Sequence, residues 1–282
     1  MKKNYYTNPS NQLIYSMFYS SKRKKNDRFR NHKHTEIELG FILEGEGIYN
    51  LNGKTYTVSK GDLFIVRSNE QHCIPTIISD SLVSFNIHLT SYFLWNVCSD
   101  YIPANKIQAL IDSGIIIQSK QADSKISAIF SKIINLYDSD DENSLYDIKL
   151  EVINLLRIIS KKIEVNSGQV IHSANCFKEI QNAISFIKRN YSKQIGLDDI
   201  AKSAAISRSH LSNSFKAVTG MSPYNFLITT RIEKAVELLK NTNEKIMNIS
   251  LECGFTSLTS FNKAFKNSVG ITPIELRSIY KK

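Results

Sequence analysis

The sequence predicts an α+β protein of two domains, a small N-terminal β-barrel or sandwich followed by an all-helical C-terminal domain. Short runs of β-branched and aromatic residues, separated by glycine-containing turns, occupy residues 32–90. From about residue 123 the apolar residues recur at helical spacing. From residue 176 the helical pattern repeats itself with an offset of about 50 residues. A chain of 282 residues is long enough for both domains.

Composition and charge exclude several classes of protein. With 42% hydrophobic and 22% charged residues, the chain is neither disordered nor fibrous. The first twelve residues lack the apolar core of a secretory signal, and polar residues interrupt the most apolar stretch, so we expect no membrane span. Residues 176–282 hold 16 Lys and Arg against 8 Asp and Glu, whereas residues 1–175 hold 20 against 18. The C-terminal domain is therefore expected to meet a polyanion.

The N-terminal region, residues 1–120, is predicted to form the barrel. Four strands are predicted, over residues 38–43, 47–51, 55–58 and 62–66. Gly45, Asn52-Gly53 and Lys60-Gly61 stand at the turn positions between them. Short strands at such regular spacing are typical of a small barrel or sandwich.

Residues 121–165 are predicted to form a helical dimerisation segment. Its apolar positions step by three or four residues along one helical face, and they are Leu145, Ile148, Val152, Leu155, Ile159 and Ile163. Such a face suits pairing with the helix of a second copy, but packing against the chain's own barrel remains open. The next ten residues, 166–175, are rich in Asn, Ser and Gly and are predicted to be the linker between domains.

The C-terminal domain, residues 176–282, contains two copies of a helix-turn-helix pattern. The first is predicted over about 197–218 and the second over about 247–268, joined by a connector helix over about 223–240. Ser207 and Ser257 precede the second helix of each copy, where a hydroxyl side chain serves as the N-cap.

A helix-turn-helix reads DNA because its second helix fits the major groove and presents side chains to the base edges. The helical period predicts as base-contacting residues Arg208, Ser209, Ser212 and Asn213 in the first unit and Thr259, Asn262 and Lys263 in the second. Phosphate contacts are predicted for Lys216, Lys266 and Arg277. Two units on one connector would enter successive major-groove segments of double-stranded DNA, about 34 Å apart.

Residues 176–282 resemble the DNA-binding domain of the AraC/XylS family of bacterial transcription regulators. The matching positions are Arg231-x3-Ala235, Gly254-Phe255, Phe261, Phe265-Lys266, Gly270, Pro273 and Arg277. Ser250 stands where the family usually has alanine. The resemblance implies a regulator, usually an activator, whose partners are promoter DNA, a small-molecule effector, a second copy of the chain and RNA polymerase.

The N-terminal segment His32-x-His34-x3-Glu38 resembles the first cupin motif. In metal-binding cupins these side chains face into the barrel as metal ligands. Phe64 stands where the second cupin motif has its histidine ligand, so we expect no metal and no other cofactor. The region is similar instead to the cupin-like sensory barrel of AraC-type regulators, whose usual pattern includes a histidine at the position of His72.

Three roles are open for these polar groups. They hydrogen-bond a small polar effector such as a sugar, they are satisfied structural groups, or they hold a metal with His72 or His88 as a substitute ligand. The first role is our prediction, with the effector-binding residues His32, His34, Glu38, Tyr49, Phe64 and His72.

The function predicted from the sequence is that of a cytoplasmic, ligand-responsive activator of carbohydrate-use genes, which is not an enzyme. A metal-dependent cupin enzyme with a DNA-binding appendage and an effector-independent regulator are the alternatives. The absence of GxSxG, Walker and HExxH motifs disfavours the enzyme.

Overall fold

The computed structural model describes residues 16–25, 27, 31–112, 115–117, 124–139, 144–163 and 174–280. The contacts divide the chain into two compact units. The first comprises the described residues of Ser16–Ser91 and Asp100–Ser167, and the second comprises Tyr92–Ser99 and those of Gly168–Lys282.

The first unit is a two-sheet β structure, which confirms the predicted barrel-like N-terminal domain. Its strands are β1 (Ser16–Lys24), β2 (Ile37–Glu44), β3 (Glu46–Leu51), β4 (Lys54–Ser59), β5 (Leu63–Val66), β6 (His72–Ile77), β7 (Ser81–Leu89) and β8 (Ile115–Ile117). One sheet has the order β1-β7-β2-β5-β8, and the other has the order β4-β3-β6.

The β3–β4 hairpin shows how the local sequence specifies this fold. Asn52 and Gly53 both have positive φ angles, 49° and 82°, which a two-residue turn with the twist of the flanking strands requires. The turn pairs Leu51 with Lys54, and that register directs Tyr49, Leu51 and Val58 into the apolar core between the sheets.

The helices between β7 and the second half of the chain are α1 (Ser91–Asn96) and α2 (Ala104–Asp112), which precede β8, and α3 (Ser124–Asp138) and α4 (Ser144–Lys162), which follow it. The apolar face predicted to pair with a second copy is buried within the first unit, because α4 packs against α3 and α2. Among its residues Ile148, Val152, Leu155 and Ile159 are at most 1% exposed, while the side chain of Leu145 lies outside the described residues. The prediction that this face joins two copies is therefore wrong. Among the described side chains of α4, the large exposed apolar ones are instead Tyr146 and Leu150.

The second unit is all-helical and confirms the duplicated helix-turn-helix. Its further helices are α5 (Ala174–Asn190), α6 (Leu197–Ser203), α7 (Arg208–Thr219), α8 (Pro223–Asn241), α9 (Ile246–Glu252), α10 (Leu258–Val269) and α11 (Pro273–Tyr280). The predicted linker 166–175 lies, up to residue 173, outside the described residues. In the part of the chain that is described, no helix combines the length and the apolar character that crossing a bilayer demands.

Candidate functional site

The second helix of the first helix-turn-helix, α7, begins at a capped turn. The Ser207 hydroxyl accepts a hydrogen bond from the backbone N–H of His210 at 3.2 Å, which satisfies one of the donors that a helix start leaves open. Leu211, Phe215 and Val218 bury one side of α7. The opposite side is left for polar residues that face solvent.

The equivalent helix of the second copy, α10, is built in the same way. Ser257 accepts from the backbone N–H of Ser260 at 3.2 Å, and Phe261 and Phe265 are fully buried. The turn before α10 contains Gly254 at φ +85°, where a Cβ atom would lie 2.6 Å from the carbonyl oxygen of Tyr191. Only glycine fits this turn without displacing the backbone that it touches.

Arg231 of α8 holds the same stretch of backbone. Its Nε donates to the carbonyl oxygen of Tyr191 at 2.7 Å, and its Nη2 donates to that of Lys193 at 2.8 Å. The side chain is 7% exposed, and this burial lowers the pKa of its guanidinium. Gln194 adds a hydrogen bond to the carbonyl oxygen of Gly254 at 3.0 Å. The connector helix and the second turn are thus joined through residues 191–194.

The structure places most of the predicted DNA-contacting side chains on the surface of the second unit. Exposed residues among them are Arg208, Ser209, Asn213, Lys216, Thr259, Asn262, Lys263 and Lys266, whereas Ser212 and Arg277 are half-buried. Arg208 lies 3.1 Å from Asp198, and because both groups are exposed this ion pair contributes little to stability and leaves Arg208 able to change partner. Two guanidinium nitrogens of Arg277 are buried without a hydrogen-bond partner among the described residues.

In the first unit a buried carboxylate is surrounded by imidazoles. Glu38 lies on β2, His72 on β6 and His88 on β7, and His34 precedes β2. The Oε2 atom of Glu38 is 3.0 Å from Nε2 of His34, 3.2 Å from Nε2 of His72 and 3.4 Å from Nε2 of His88. Glu38, His34, His72 and His88 are called the Glu38 cluster below.

Electrostatics in the Glu38 cluster favour a negative carboxylate beside positive charge. Burial raises the pKa of the Glu38 carboxyl, but the three imidazoles lower it by more, so it lies well below its ordinary value. Burial lowers the pKa of His34, but the Glu38 carboxylate and the carbonyl oxygen of Glu36 raise it above its ordinary value. The Glu38 carboxylate and the His34 imidazole therefore favour each other's charged forms.

The other predicted effector residues lie around this cluster. His32 is exposed, and its backbone pairs with that of His72 through hydrogen bonds of 3.2 and 3.0 Å. Tyr49 and Phe64 are buried with their ring centres 4.4 Å apart. The Phe64 ring occupies the space above Gly40, where a Cβ atom would lie 1.8 Å from it. His32 thus lies at the exposed edge of the cluster, and the two aromatic rings belong to the apolar core beside it.

His88 is absent from the predicted effector residues although it contacts Glu38. The signal was present in the sequence, because Ser84, Asn86 and His88 alternate along β7 and so point to one face of the strand. All three are buried, as expected for polar residues that line the interior of the fold.

A second missed feature is the segment Tyr92–Ser99, which follows β7. The sequence-based division places this segment in the region 1–120, whereas in the structure it packs within the second unit. The hydroxyl of Tyr92 donates to Glu233 of α8 at 2.7 Å, and the Asn96 side chain donates to the same carboxylate at 2.9 Å. Burial, followed by the nearby Glu233 charge, raises the pKa of Tyr92 well above its ordinary value.

Comparisons with known sequences match both parts of the chain. The family described as AraC-like ligand binding domain matches residues 14–155, and the family described as helix-turn-helix domain matches residues 200–279. A lactose operon transcription activator of Staphylococcus xylosus is 29% identical over 242 residues, 85% of this chain and 82% of that protein. The transcriptional activator RhaS of Mannheimia succiniciproducens is 25% identical over 255 residues, 90% of this chain and 91% of that protein.

Comparison with solved structures finds ToxT of Vibrio cholerae with a bound unsaturated fatty acid. Its sequence is 14% identical, the alignment covers 95% of this chain and 97% of that chain, and the TM-score is 0.43.

Proposed function

The chain belongs to the AraC family of transcriptional regulators, with a ligand-binding and a DNA-binding domain, and from this membership we propose that it activates carbohydrate-use genes in response to a sugar effector. The proposal of a sugar is supported by the relatives, which are named as a lactose operon activator and as the activator RhaS. The proposal of DNA reading depends above all on the two capped helices α7 and α10, which carry exposed polar residues at matching positions.

We assign base contacts to Arg208, Ser209, Ser212, Asn213, Thr259, Asn262 and Lys263 and phosphate contacts to Lys216, Lys266 and Arg277. Site selection from random DNA tests the base contacts. Asn213→Ala is expected to relax the preference at one base position while the others keep theirs, because an asparagine pairs bidentately with one adenine. Lys178→Ala, which removes an exposed charge from α5, is the matched control. An unchanged preference profile in Asn213→Ala would remove that residue from the assignment.

We place the effector at the exposed edge of the Glu38 cluster, among His32, His34, Glu38, Tyr49, Phe64 and His72. Hydroxyl groups of a sugar find both donors and acceptors there, and the buried rings of Tyr49 and Phe64 pack beside the cluster as part of the apolar core. Thermal unfolding in the presence of mono- and oligosaccharides tests this proposal. A sugar at about 100 times its dissociation constant stabilises the protein by about 2.7 kcal/mol, and the shift should disappear in His34→Gln. His210→Gln, an exposed histidine in the second unit, should retain it.

We propose that the effector signal reaches the DNA-binding unit through the segment Tyr92–Ser99. This segment continues directly from β7, the strand that carries His88, and its side chains bind α8, the connector of the two helix-turn-helix copies. A displacement of β7 on effector binding would therefore be passed along the chain to Tyr92 and Asn96 and, through their hydrogen bonds, to α8. An effector changes DNA affinity only by binding the two arrangements unequally.

We further propose that the protein acts in the cytoplasm as a homodimer, contacts RNA polymerase and catalyses no reaction. The exposed face of α4 with Tyr146 and Leu150 is the candidate dimer contact. Sedimentation of the Leu150→Glu variant tests this dimer contact, because a charge in the contact should shift the population toward monomers.

An effector-independent regulator remains the alternative function, and it would be favoured if no sugar changed either the unfolding temperature or the DNA affinity.

A further inference from the structure

The exposed face of α7 includes a histidine that is absent from the predicted DNA contacts. The residues that face away from the buried side of this helix recur one helical turn apart, and they are His210, Asn213 and Ala217. Asn213 is an assigned base contact, so His210 lies on the same stripe and one turn closer to the start of the helix. The N-terminal residues of this helix are the ones that a helix-turn-helix brings to DNA. His210 is therefore placed as a DNA-contacting residue is placed.

A carboxylate of a neighbouring helix holds the imidazole of His210. Its Nε2 atom lies 3.1 Å from Oε2 of Glu179 on α5, which packs against α7. An ionised carboxylate only accepts hydrogen bonds, so Nε2 carries a proton and donates it. The other titratable group at this end of α5 is Cys176, and burial raises the pKa of its thiol. The backbone N–H of His210 donates to the Ser207 hydroxyl, so main chain and ring are both held at the start of the helix.

The second ring nitrogen, Nδ1, determines what His210 offers to DNA. Within the described part of the chain Nδ1 makes no hydrogen bond, and the side chain is 51% exposed. In a neutral ring Nδ1 is an acceptor, because Nε2 holds the single proton. In a protonated ring Nδ1 donates as well, and the ring carries a positive charge. A DNA phosphate offers acceptor oxygens and a negative charge, so it pairs with the protonated ring and not with the neutral one.

The other elements packed against α7, which are α6 and α8, leave this imidazole to Glu179. The charged group that α6 brings to the start of α7 is Asp198, and it lies 3.1 Å from Arg208. Helix α8 packs on α7 through aromatic rings, those of Phe226 and Phe215, whose centres are 5.4 Å apart. Among the described residues, Glu179 is therefore the charged group that contacts the imidazole.

We propose that the protonated imidazole of His210, positioned by Glu179, donates a hydrogen bond from Nδ1 to a phosphate of the bound DNA, so that DNA affinity falls as the pH rises. Histidine is the side chain whose charge ordinarily changes between about pH 5 and about pH 8. The contact is present while the ring is protonated and is lost when the ring becomes neutral. The inference rests on the proposed reading of DNA by α7, and it adds to that function one contact that depends on pH.

The probe for this contact is the DNA fragment that the wild-type chain selects from random DNA, labelled with a fluorophore and titrated with the full-length protein. Dissociation constants are measured at about pH 5.5 and about pH 8, and the ratio of the second to the first is compared between variants, because the other histidines of the chain respond to pH as well. We expect the wild-type ratio to exceed that of His210→Gln about tenfold, the lower end of what a hydrogen bond to a charged group contributes. At the lower pH the slope of log affinity against log salt should also decrease in magnitude by about 0.9 in His210→Gln, because one phosphate contact is lost.

Two variants of α5 separate the roles of the ring and of its partner. Lys178→Ala removes an exposed charge next to Glu179 and should keep the wild-type ratio. Glu179→Ala should lower the ratio toward that of His210→Gln while the urea midpoint stays unchanged, because a largely exposed ion pair contributes little to stability. A full wild-type ratio in Glu179→Ala would overturn its positioning role.

The same titration separates failure of this inference from failure of the proposed function. A wild-type chain that binds the DNA with the same ratio as His210→Gln would overturn the contact and leave the proposed function standing. An unchanged salt slope in His210→Gln at the lower pH would overturn the assignment to a phosphate. A wild-type chain that binds no DNA even at low salt would overturn both the contact and the proposed function.

Discussion

The turn of the second helix-turn-helix depends on Gly254, and Gly254→Ala tests how it is held. An alanine at φ +85° costs about 1–2 kcal/mol through its own backbone conformation. Its Cβ would also lie 2.6 Å from the carbonyl oxygen of Tyr191 and 2.9 Å from that of Ser192. The Tyr191 carbonyl is held by a hydrogen bond of 2.7 Å from Arg231, and Ser192 lies between it and Lys193, whose carbonyl Arg231 also holds at 2.8 Å. Overpacking of this kind adds about 1–3 kcal/mol, so the total loss of unfolding free energy is about 2–5 kcal/mol.

Urea unfolding followed by tryptophan fluorescence measures this loss in the correct unit. Trp95 is the single tryptophan of the chain, is fully buried and belongs to the second unit. For an m-value of about 2 kcal/mol/M, Gly254→Ala should lower the midpoint by about 1–2.5 M. It should also weaken DNA binding, because the turn positions α10.

Gly220→Ala is the matched control, since Gly220 lies in the same unit, has φ +74° and is exposed. It should lose only the conformational part, about 1–2 kcal/mol. Equal losses in the two variants would refute the reasoning, because they would mean that the carbonyl oxygens of residues 191 and 192 move aside at no cost.

Three further predictions concern other parts of the second unit. Ala205→Gly is expected to raise the unfolding free energy by up to about 1 kcal/mol, because Ala205 is exposed at φ +56°; a lower urea midpoint would contradict this. Lys266→Ala is expected to weaken binding to all DNA sequences and to reduce the slope of log affinity against log salt by about 1, and an unchanged slope would remove it from the phosphate contacts. Tyr92→Phe removes the 2.7 Å hydrogen bond to Glu233 and should lower the unfolding free energy by about 1.5–3 kcal/mol; an unchanged midpoint would show that the bond contributes nothing.

The local features of the fold could be predicted because their causes are local. A serine side chain that caps a helix acts over three residues, so Ser207 and Ser257 mark the starts of α7 and α10 in the sequence and in the structure alike. The same holds for the Asn52-Gly53 turn, whose two positive φ angles follow from residue type.

The features that the sequence did not reveal depend on contacts between distant residues. An apolar helical face in the sequence predicts burial but does not identify the element that packs on it. Ile148 and Val152 are buried in α4, which packs against α3 and α2 of the same unit. His88 joins Glu38 because β7 pairs with β2 in one particular register, across 50 residues of sequence. Sequence spacing alone does not contain that register.

The two helix-turn-helix turns show why the same backbone accepts alanine in one copy and requires glycine in the other. The hydrogen bonds are equivalent: Ala205 donates to the carbonyl oxygen of Lys202 at 3.1 Å, and Gly254 donates to that of Leu251 at 2.9 Å. Both residues also have positive φ. Ala205 is exposed, so its side chain costs only conformational energy, whereas Gly254 is buried against the backbone that Arg231 holds. Position 254 therefore requires glycine because of the backbone that packs against this turn. Gly254 and Arg231, which both match the family pattern, therefore serve the same structural purpose. Both keep residues 191–194 packed on the turn that positions α10.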